Sequence, residues 1–416
     1  MQVTVSAEEK RLSPRLRWLS RHSVAIVALS AAVFAVPSLL HWALSGQMVV
    51  GDFLDITVYR AGGAALLHGE PLYEADLRVA VGNFPFTYTP FAAVLFTPLA
   101  LIPAWLCQAL VIPSHIALLA AVVWRCLRCI GHLPDRELRR AAVAITALLF
   151  VLEPITWTMW LGQINLLLLA VVLFDLTARG RWSGVGLGIA TAIKLTPGLF
   201  IVYLLCTRRF RAAAAAAITA AATTGAGFLI APEDSARYWG GTFLDNTRFS
   251  DTDGSGNLSI NGLIARLVGV GDAQRLMWLI CAIAVVALGI GLAAVARARG
   301  HELFGLALCG LTATAVSPFS WSHHWVWIAP LAVLAVRFAS PTAIAGLLAL
   351  TFAWPVHILF GLDIHFPVLG ISAVPPWQGV EIVYGNAYLL VFVGALAAGY
   401  QVRTPAGKQF LPEPGR

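Results

Sequence analysis

Apolar runs long enough to cross a bilayer recur along this chain, divided by short arginine-bearing segments, and this alternation constrains the fold more tightly than any other feature. The runs read as Val24–Ser45, Ala104–Trp124, Ala141–Leu152, Ile164–Ala178, Ala212–Ile230, Leu276–Ala296, Leu303–Ala315, Trp325–Val336, Thr342–His357 and Tyr384–Ala398. With 59% hydrophobic residues and a mean hydropathy of +0.78, the chain has more apolar surface than a soluble domain can bury. Its main solvent is lipid, and the fold class predicted is an all-α polytopic membrane protein.

Short loops rich in Lys and Arg stay in the cytoplasm, and that rule threads the runs. The basic N-terminus, "RCLRCIGHLPDRELRR", "ARGRW", "TRRFR", "ARARG" and "VRTPAGK" all fall inside. Ser183–Cys206 resists simple threading, because arginines flank both its ends although it is about one span long. A hairpin of two short helices resolves the conflict, turning at Lys194, which is costly at mid-bilayer, and at Pro197, which lacks a helix hydrogen bond donor. Counting the hairpin as two gives about 11–12 membrane helices with both termini in the cytoplasm. The expected organisation is a basic segment 1–23, a single membrane domain 24–400 and a tail 401–416. Extracytoplasmic loops cover 47–104 and 232–274, and a third outside region spans Ser317–His324.

Several function classes recede on the same evidence. The net charge of +7 is scattered between apolar runs and forms no single nucleic-acid patch. Cys126 and Cys129 form a CxxC at a basic helix end with no second Cys/His pair at ligand spacing, so neither a metal nor a redox role is expected. No Walker loop or dinucleotide fingerprint suggests a nucleotide-bound substrate. A transporter could also use a helix broken at Lys194 and Pro197, but it predicts midplane polar residues and an internal repeat, and none is visible.

The threading collects Asp52, Asp55, Arg60, Lys194, His323 and His324 on the outside face. Each has a structural alternative: the aspartates as a helix cap, Arg60 as an interfacial anchor, Lys194 snorkelling, the histidines packed beside "WSHHW" tryptophans. Their convergence on one face favours a site. One carboxylate with several cations suits glycosyl transfer from a lipid-phosphate sugar. The acceptor hydroxyl needs one base, and the departing phosphate needs cationic stabilisation in place of an acid. A glycosidase would need two catalytic carboxylates.

The stretches "DITVYRAGGAALLHGEPLYE", "FPFTYTPFAAVLFTPLALIP", "WLGQINLLLLAVVLFDL", "GIATAIKLTPGLFIVYLL" and "SPFSWSHHWVW" occur in this order from about Asp52 to beyond Trp327. In these five motifs the chain resembles glycosyltransferase family 87, whose members have the GT-C fold. The resemblance implies an inverting mannosyltransferase with a polyprenyl-phosphate mannose donor and a phosphatidylinositol mannoside acceptor, the tetramannoside being extended through an α-1,2 linkage. It places that site at the extracytoplasmic face of the plasma membrane. Lipomannan branching and arabinofuranosyl transfer from a decaprenyl-phosphate pentose are the nearest alternatives. No cofactor or metal is expected, since the lipid-linked sugar is a substrate.

By resemblance, Asp55 matches the presumed general base of the "D-x-x-V-Y" motif, with Asp52 beside it. Lys194 matches the lysine of a "K-L-x-P" turn that contacts the donor phosphate, and Arg60, His323 and His324 would complete a cationic surround. Either histidine is the next candidate for the base. Gln163 and Asn165 occupy polar positions suited to sugar hydroxyls, and Tyr59, Tyr88, Asn257 and Trp321 are further substrate-binding candidates.

Overall fold

The computed structural model describes residues 13–45, 53–79, 82–131, 136–178, 180–245, 248, 251–354, 370–374 and 379–403. Asp52, the tail from 404 and the last residues of the expected span ending at His357 lie outside them. The described chain is almost wholly helical. A short basic helix α1 (Pro14–Arg21) precedes α2 (Ser23–Ser45). The first loop then carries α3 (Leu54–His68), a two-stranded antiparallel hairpin (Leu77–Val79 with Gly82–Phe84) and α4 (Pro90–Leu101). Next come α5 (Ala104–Cys129), α6 (Arg136–Leu149), α7 (Glu153–Leu161) and α8 (Asn165–Thr177). They are followed by α9 (Val185–Ile193), α10 (Leu199–Cys206), α11 (Phe210–Ile230) and α12 (Pro232–Trp239). The chain continues through α13 (Ile260–Val268), α14 (Asp272–Ala298) and α15 (Glu302–Val316). It closes with α16 (Ile328–Phe338), α17 (Pro341–Thr351) and α18 (Ala387–Arg403).

Helix α15 is the hub. Every side chain from Leu303 to Ala315 is buried, and the helix packs against α5, α10, α13, α14, α16 and α18. The periphery is apolar instead of polar: Leu276, Ile280 and Ile283 of α14 and Ile218 and Leu229 of α11 are all exposed. Contiguous exposed apolar faces of this kind are unfavourable in water and favourable in lipid.

Among the described residues α5, α11 and α14 are each long and apolar enough to cross a membrane alone. The expected runs of near-full length are shorter elsewhere: α6 has 14 residues, α8 13, α15 15 and α16 11. At 1.5 Å per residue such helices rise roughly 17–23 Å, against about 30 Å of hydrocarbon. Their early ends leave room at one end of the bundle for irregular backbone and polar side chains, which membranes tolerate where protein surrounds them.

The segment around Lys194 is a hairpin. Its start and end meet, since Arg209 donates to Ser183 Oγ at 3.1 Å and to the Leu176 carbonyl at 2.9 Å. Helix α9 runs beside α11, and both arms pack on it. The base of the hairpin is tied by Asp175, whose carboxylate accepts from the backbone N–H groups of Gly184 and Leu187 at 2.9 Å. Arg209 and Arg297 both pair with Glu302 at this end, 3.1 and 3.5 Å away. The arginines and the site candidates therefore occupy opposite ends of the bundle.

Asp175 is the N-terminal cap of a helix that has none of its own, because Gly184 has no side chain to offer. Asp175→Ala should lower stability by about 1–3 kcal/mol, the range for leaving buried donors unpaired. It would be read as a fall in the melting temperature of the detergent-purified protein. An unchanged melting temperature would show that the carboxylate is not the cap.

Candidate active site

Asp55 stands in the first turn of α3, where the helix dipole favours a carboxylate. The residue that starts this helix, Phe53, is held in the left-handed region at φ 48°, a conformation costing roughly 1–2 kcal/mol in a non-glycine residue. Its N–H donates to the Trp160 carbonyl of α7 at 3.2 Å, so α7 sets where α3 begins.

Helices α7 and α8 meet at an elbow of 114°. Gly162 makes the turn at φ 72°, a region that side chains disfavour, and Ile56 and Val111 crowd the place a Cβ would take. The elbow presents Gln163 and Asn165 to opposite partners. Gln163 Nε2 donates to Asp55 Oδ1 at 2.6 Å. Its Oε1 accepts from the hydroxyls of Tyr59 and Tyr88 at 3.2 and 3.3 Å, and the carboxylate, which only accepts, fixes which way the amide faces. The two hydroxyls lie 2.8 Å apart, with Phe96 stacked on Tyr59.

On the other side, Asn165 Oδ1 accepts from Lys194 Nζ at 3.0 Å, while its Nδ2 donates to the His323 carbonyl at 3.0 Å. Lys194 Nζ also lies 3.2 Å from His324 Nε2 and 5.5 Å from the centre of the Tyr88 ring. Tyr88 thus belongs to both halves. Thr89 caps α4 and donates to the Ala192 carbonyl, bringing the "TYTP" turn against the end of α9. Beneath Lys194 is a cavity of about 40 Å³, lined by Asn165, His324, Thr314 and Ser320 on its polar side and by Phe200 and Trp327 on its apolar side.

An ammonium has only hydrogens to offer, so the His324 nitrogen facing it is an unprotonated acceptor. The other ring nitrogen is bonded to the Phe319 backbone. Burial, reinforced by the Lys194 charge, holds both imidazoles well below their usual range. The His324 ring therefore contributes a neutral acceptor where the sequence predicts a cation.

Arg60 also departs from expectation. Its guanidinium turns to the end of α4, donating to the carbonyls of Leu99 and Ile102 and lying 3.2 Å from Cys107 Sγ. Unpaired carbonyls at a helix end attract a cation, and that is where this one goes. Asn257 is fully buried, its amide donating to the carbonyls of Thr252 and Pro318 and accepting from Ser259 and Ser320. It ties the 251–258 loop to the start of the histidine turn. Trp321 packs on Phe319 and runs nearly parallel to His323.

Two residues outside the predicted set join this network. The His115 ring nitrogens lie 2.7 and 2.9 Å from the carbonyls of Val111 and Gln163, which pins the elbow to α5. Glu153 is buried at the start of α7. His115 is a polar side chain inside an apolar run and Glu153 a buried carboxylate directly after one, placements too costly to be idle.

A carboxylate and a lysine bonded to neighbouring amides at one end of a helical bundle, with lipid-facing sides, describe a polytopic membrane enzyme. The sequence profile of glycosyltransferase family 87 matches residues 86–318, a stretch that includes Tyr88, Gln163, Asn165 and Lys194. A polyprenol-phosphate-mannose-dependent alpha-(1-2)-phosphatidylinositol mannoside mannosyltransferase of Mycolicibacterium smegmatis is 35% identical over 351 residues, covering 76% of this chain and 78% of that protein. A protein of the same description from Mycobacterium tuberculosis is 34% identical over 342 residues, covering 78% and 77%. A polyprenol-phosphate-mannose-dependent alpha-(1-2)-phosphatidylinositol pentamannoside mannosyltransferase of M. smegmatis is 32% identical over 372 residues, covering 87% and 84%. No solved structure matches the chain. The chain belongs to glycosyltransferase family 87.

Gln163→Glu tests the pairing across the elbow. It puts a second carboxylate against Asp55, and the two must then share a proton at higher pH than one alone would hold it. The acid limb of the pH–rate profile should move upward. A limb that stays in place would mean that Gln163 is not beside the working carboxylate.

Proposed function

We propose that this chain transfers mannose from polyprenyl-phosphate mannose to a phosphatidylinositol mannoside, extending the tetramannoside through an α-1,2 linkage. The observation that carries the reading is one network, in a family 87 chain, that suspends Asp55 and Lys194 on either side of Tyr88. Relatives acting on both a mannoside and a pentamannoside stand at comparable identity, so the step is read at the level of α-1,2 addition, with the tetramannoside as first acceptor.

In the proposed step Asp55 takes the proton of the acceptor hydroxyl as its oxygen bonds to the anomeric carbon. The bond from that carbon to the phosphate oxygen breaks, and the phosphate leaves with the electron pair toward the Lys194 ammonium. One displacement inverts the configuration, so a β-linked donor yields an α-linked product. The sugar arrives on its own leaving group, and the step uses no cofactor or metal.

The proposed sidedness follows from the arginine-bearing end, which positive-inside placement puts in the cytoplasm with both termini. The site then faces outward from the plasma membrane. In a chain stripped of its six cysteines, Glu70→Cys should react with an impermeant maleimide in intact cells, and Arg181→Cys after permeabilisation alone. The reverse pattern would invert the site.

Purified protein with polyprenyl-phosphate mannose and the phosphatidylinositol tetramannoside should form an α-1,2-linked product, at a rate that EDTA leaves unchanged. Transfer from a pentose donor instead would overturn the donor assignment. Asp55→Asn should reduce turnover by at least about a hundredfold, the lower range for losing a general base. Lys194→Ala should cost about 10²–10³-fold, the scale of one electrostatic stabiliser. Near wild-type rates in either folded variant would remove that residue from the reaction.

A further inference from the structure

Glu153 is 3% exposed, and no step of the transfer uses it. Its carboxylate collects donors from three distant segments. The Tyr388 hydroxyl of α18 donates at 2.5 Å, and the Ser322 side chain and the Gly370 backbone N–H also bond to it. The approach of Gly370 is close enough that a Cβ there would lie 1.4 Å from Glu153 Oε2, so glycine alone fits. Ser322 directly precedes His323 and His324, with which it forms a single 3-10 turn.

The same short helix holds this turn a second time, because the Thr158 hydroxyl lies 3.4 Å from the His323 carbonyl to which Asn165 also donates. Its far end leads into Gln163, the partner of Asp55. A carboxylate can accept from all three donors at once. An amide cannot, since one of its two ends is itself a donor and must meet a hydrogen.

We propose that Glu153 is a positioning residue for the transfer. It sets the orientation of the Ser322–His324 turn, and through it the place of His324 against Lys194. This rests on the reading that Lys194 and His324 face the donor phosphate.

The test uses the full-length protein in nanodiscs, assayed with polyprenyl-phosphate mannose and the tetramannoside. Glu153→Gln and Ser322→Ala should each lower kcat by about tenfold or more, within the cost of an ångström-scale misplacement. The KM for the acceptor should change little, while the melting temperature of Glu153→Gln should fall modestly, since the amide leaves one buried donor unmet. Glu153→Gln added to His324→Ala should cost nothing further, because both act through one turn. Wild-type kcat in folded Glu153→Gln, or losses that multiply fully with His324→Ala, would overturn the proposal. Where Glu153→Gln does not fold, Ser322→Ala decides alone, since it leaves the carboxylate its other two donors, and a wild-type kcat there refutes the link through the turn. Absence of mannosyl transfer by the unmodified protein overturns the functional reading and this inference with it.

Discussion

The elbow between α7 and α8 is the constraint on which the site depends. A continuous helix through residues 153–177 would present Gln163 and Asn165 on its own surface at a fixed angle, and neither Asp55 nor Lys194 could be served from there. The 114° bend at Gly162 instead exposes backbone and two amide side chains at the point where α3, α5 and the hairpin arrive. Groups freed by the break find partners across it. Tyr59 accepts from the Ile164 N–H at 3.3 Å, and His115 lies against the Gln163 carbonyl. Broken helices are tolerated in membranes on this condition.

Short helices and the elbow are two sides of one design. Because α6, α8 and the hairpin arms stop early, the bundle holds a polar recess at one end while lipid still meets apolar surface around it. The recess is floored by the hub helix α15 and walled by aromatic side chains from the first loop. Tyr88 and Phe96 act as rigid apolar walls with one polar tip between them. An amphipathic ring suits this boundary, since its face packs while its hydroxyl bonds.

Much of this was legible in the sequence, because hydropathy and arginine placement report on lipid and topology directly. The hairpin at Lys194 could be argued from charge alone, and Ser183 and Arg209 do meet at its base. Helices α3, α4 and α7 were not separately legible: they are 15, 12 and 9 residues long, lie outside the main spans, and owe their stability to contacts no local pattern encodes. The residue types around Asp55 and Lys194 could be named in advance, but side-chain direction could not. Arg60 sits five residues after Asp55, more than one helical turn away, and the carbonyls ending α4 claim it. Asn257 is spent on its own loop for a similar reason, since a buried amide must satisfy itself before it serves a ligand. His115 inside an apolar run and Glu153 at the end of one were readable signals, but the partners that tie them to the site, Gln163 and Tyr388, lie more than forty positions away in sequence.

The neutral amides of Gln163 and Asn165 beside Asp55 and Lys194 have a physical consequence. In a low-dielectric recess, opposite charges in direct contact attract strongly enough to neutralise each other's chemistry. A base so paired would lose its pull on a proton, and a cation so paired would have little left for a leaving phosphate. Gln163, Asn165 and the Tyr88 ring add hydrogen bonds and solvation to these groups without adding an opposite charge. The neutral His324 extends this logic: it accepts from Lys194 and so holds the ammonium in place, whereas a protonated ring at 3.2 Å would drive it away. A site built this way links one negative and one positive group through fixed amides and hydroxyls. The displacement proposed above would use such an arrangement, with proton removal at Asp55 and charge stabilisation at Lys194.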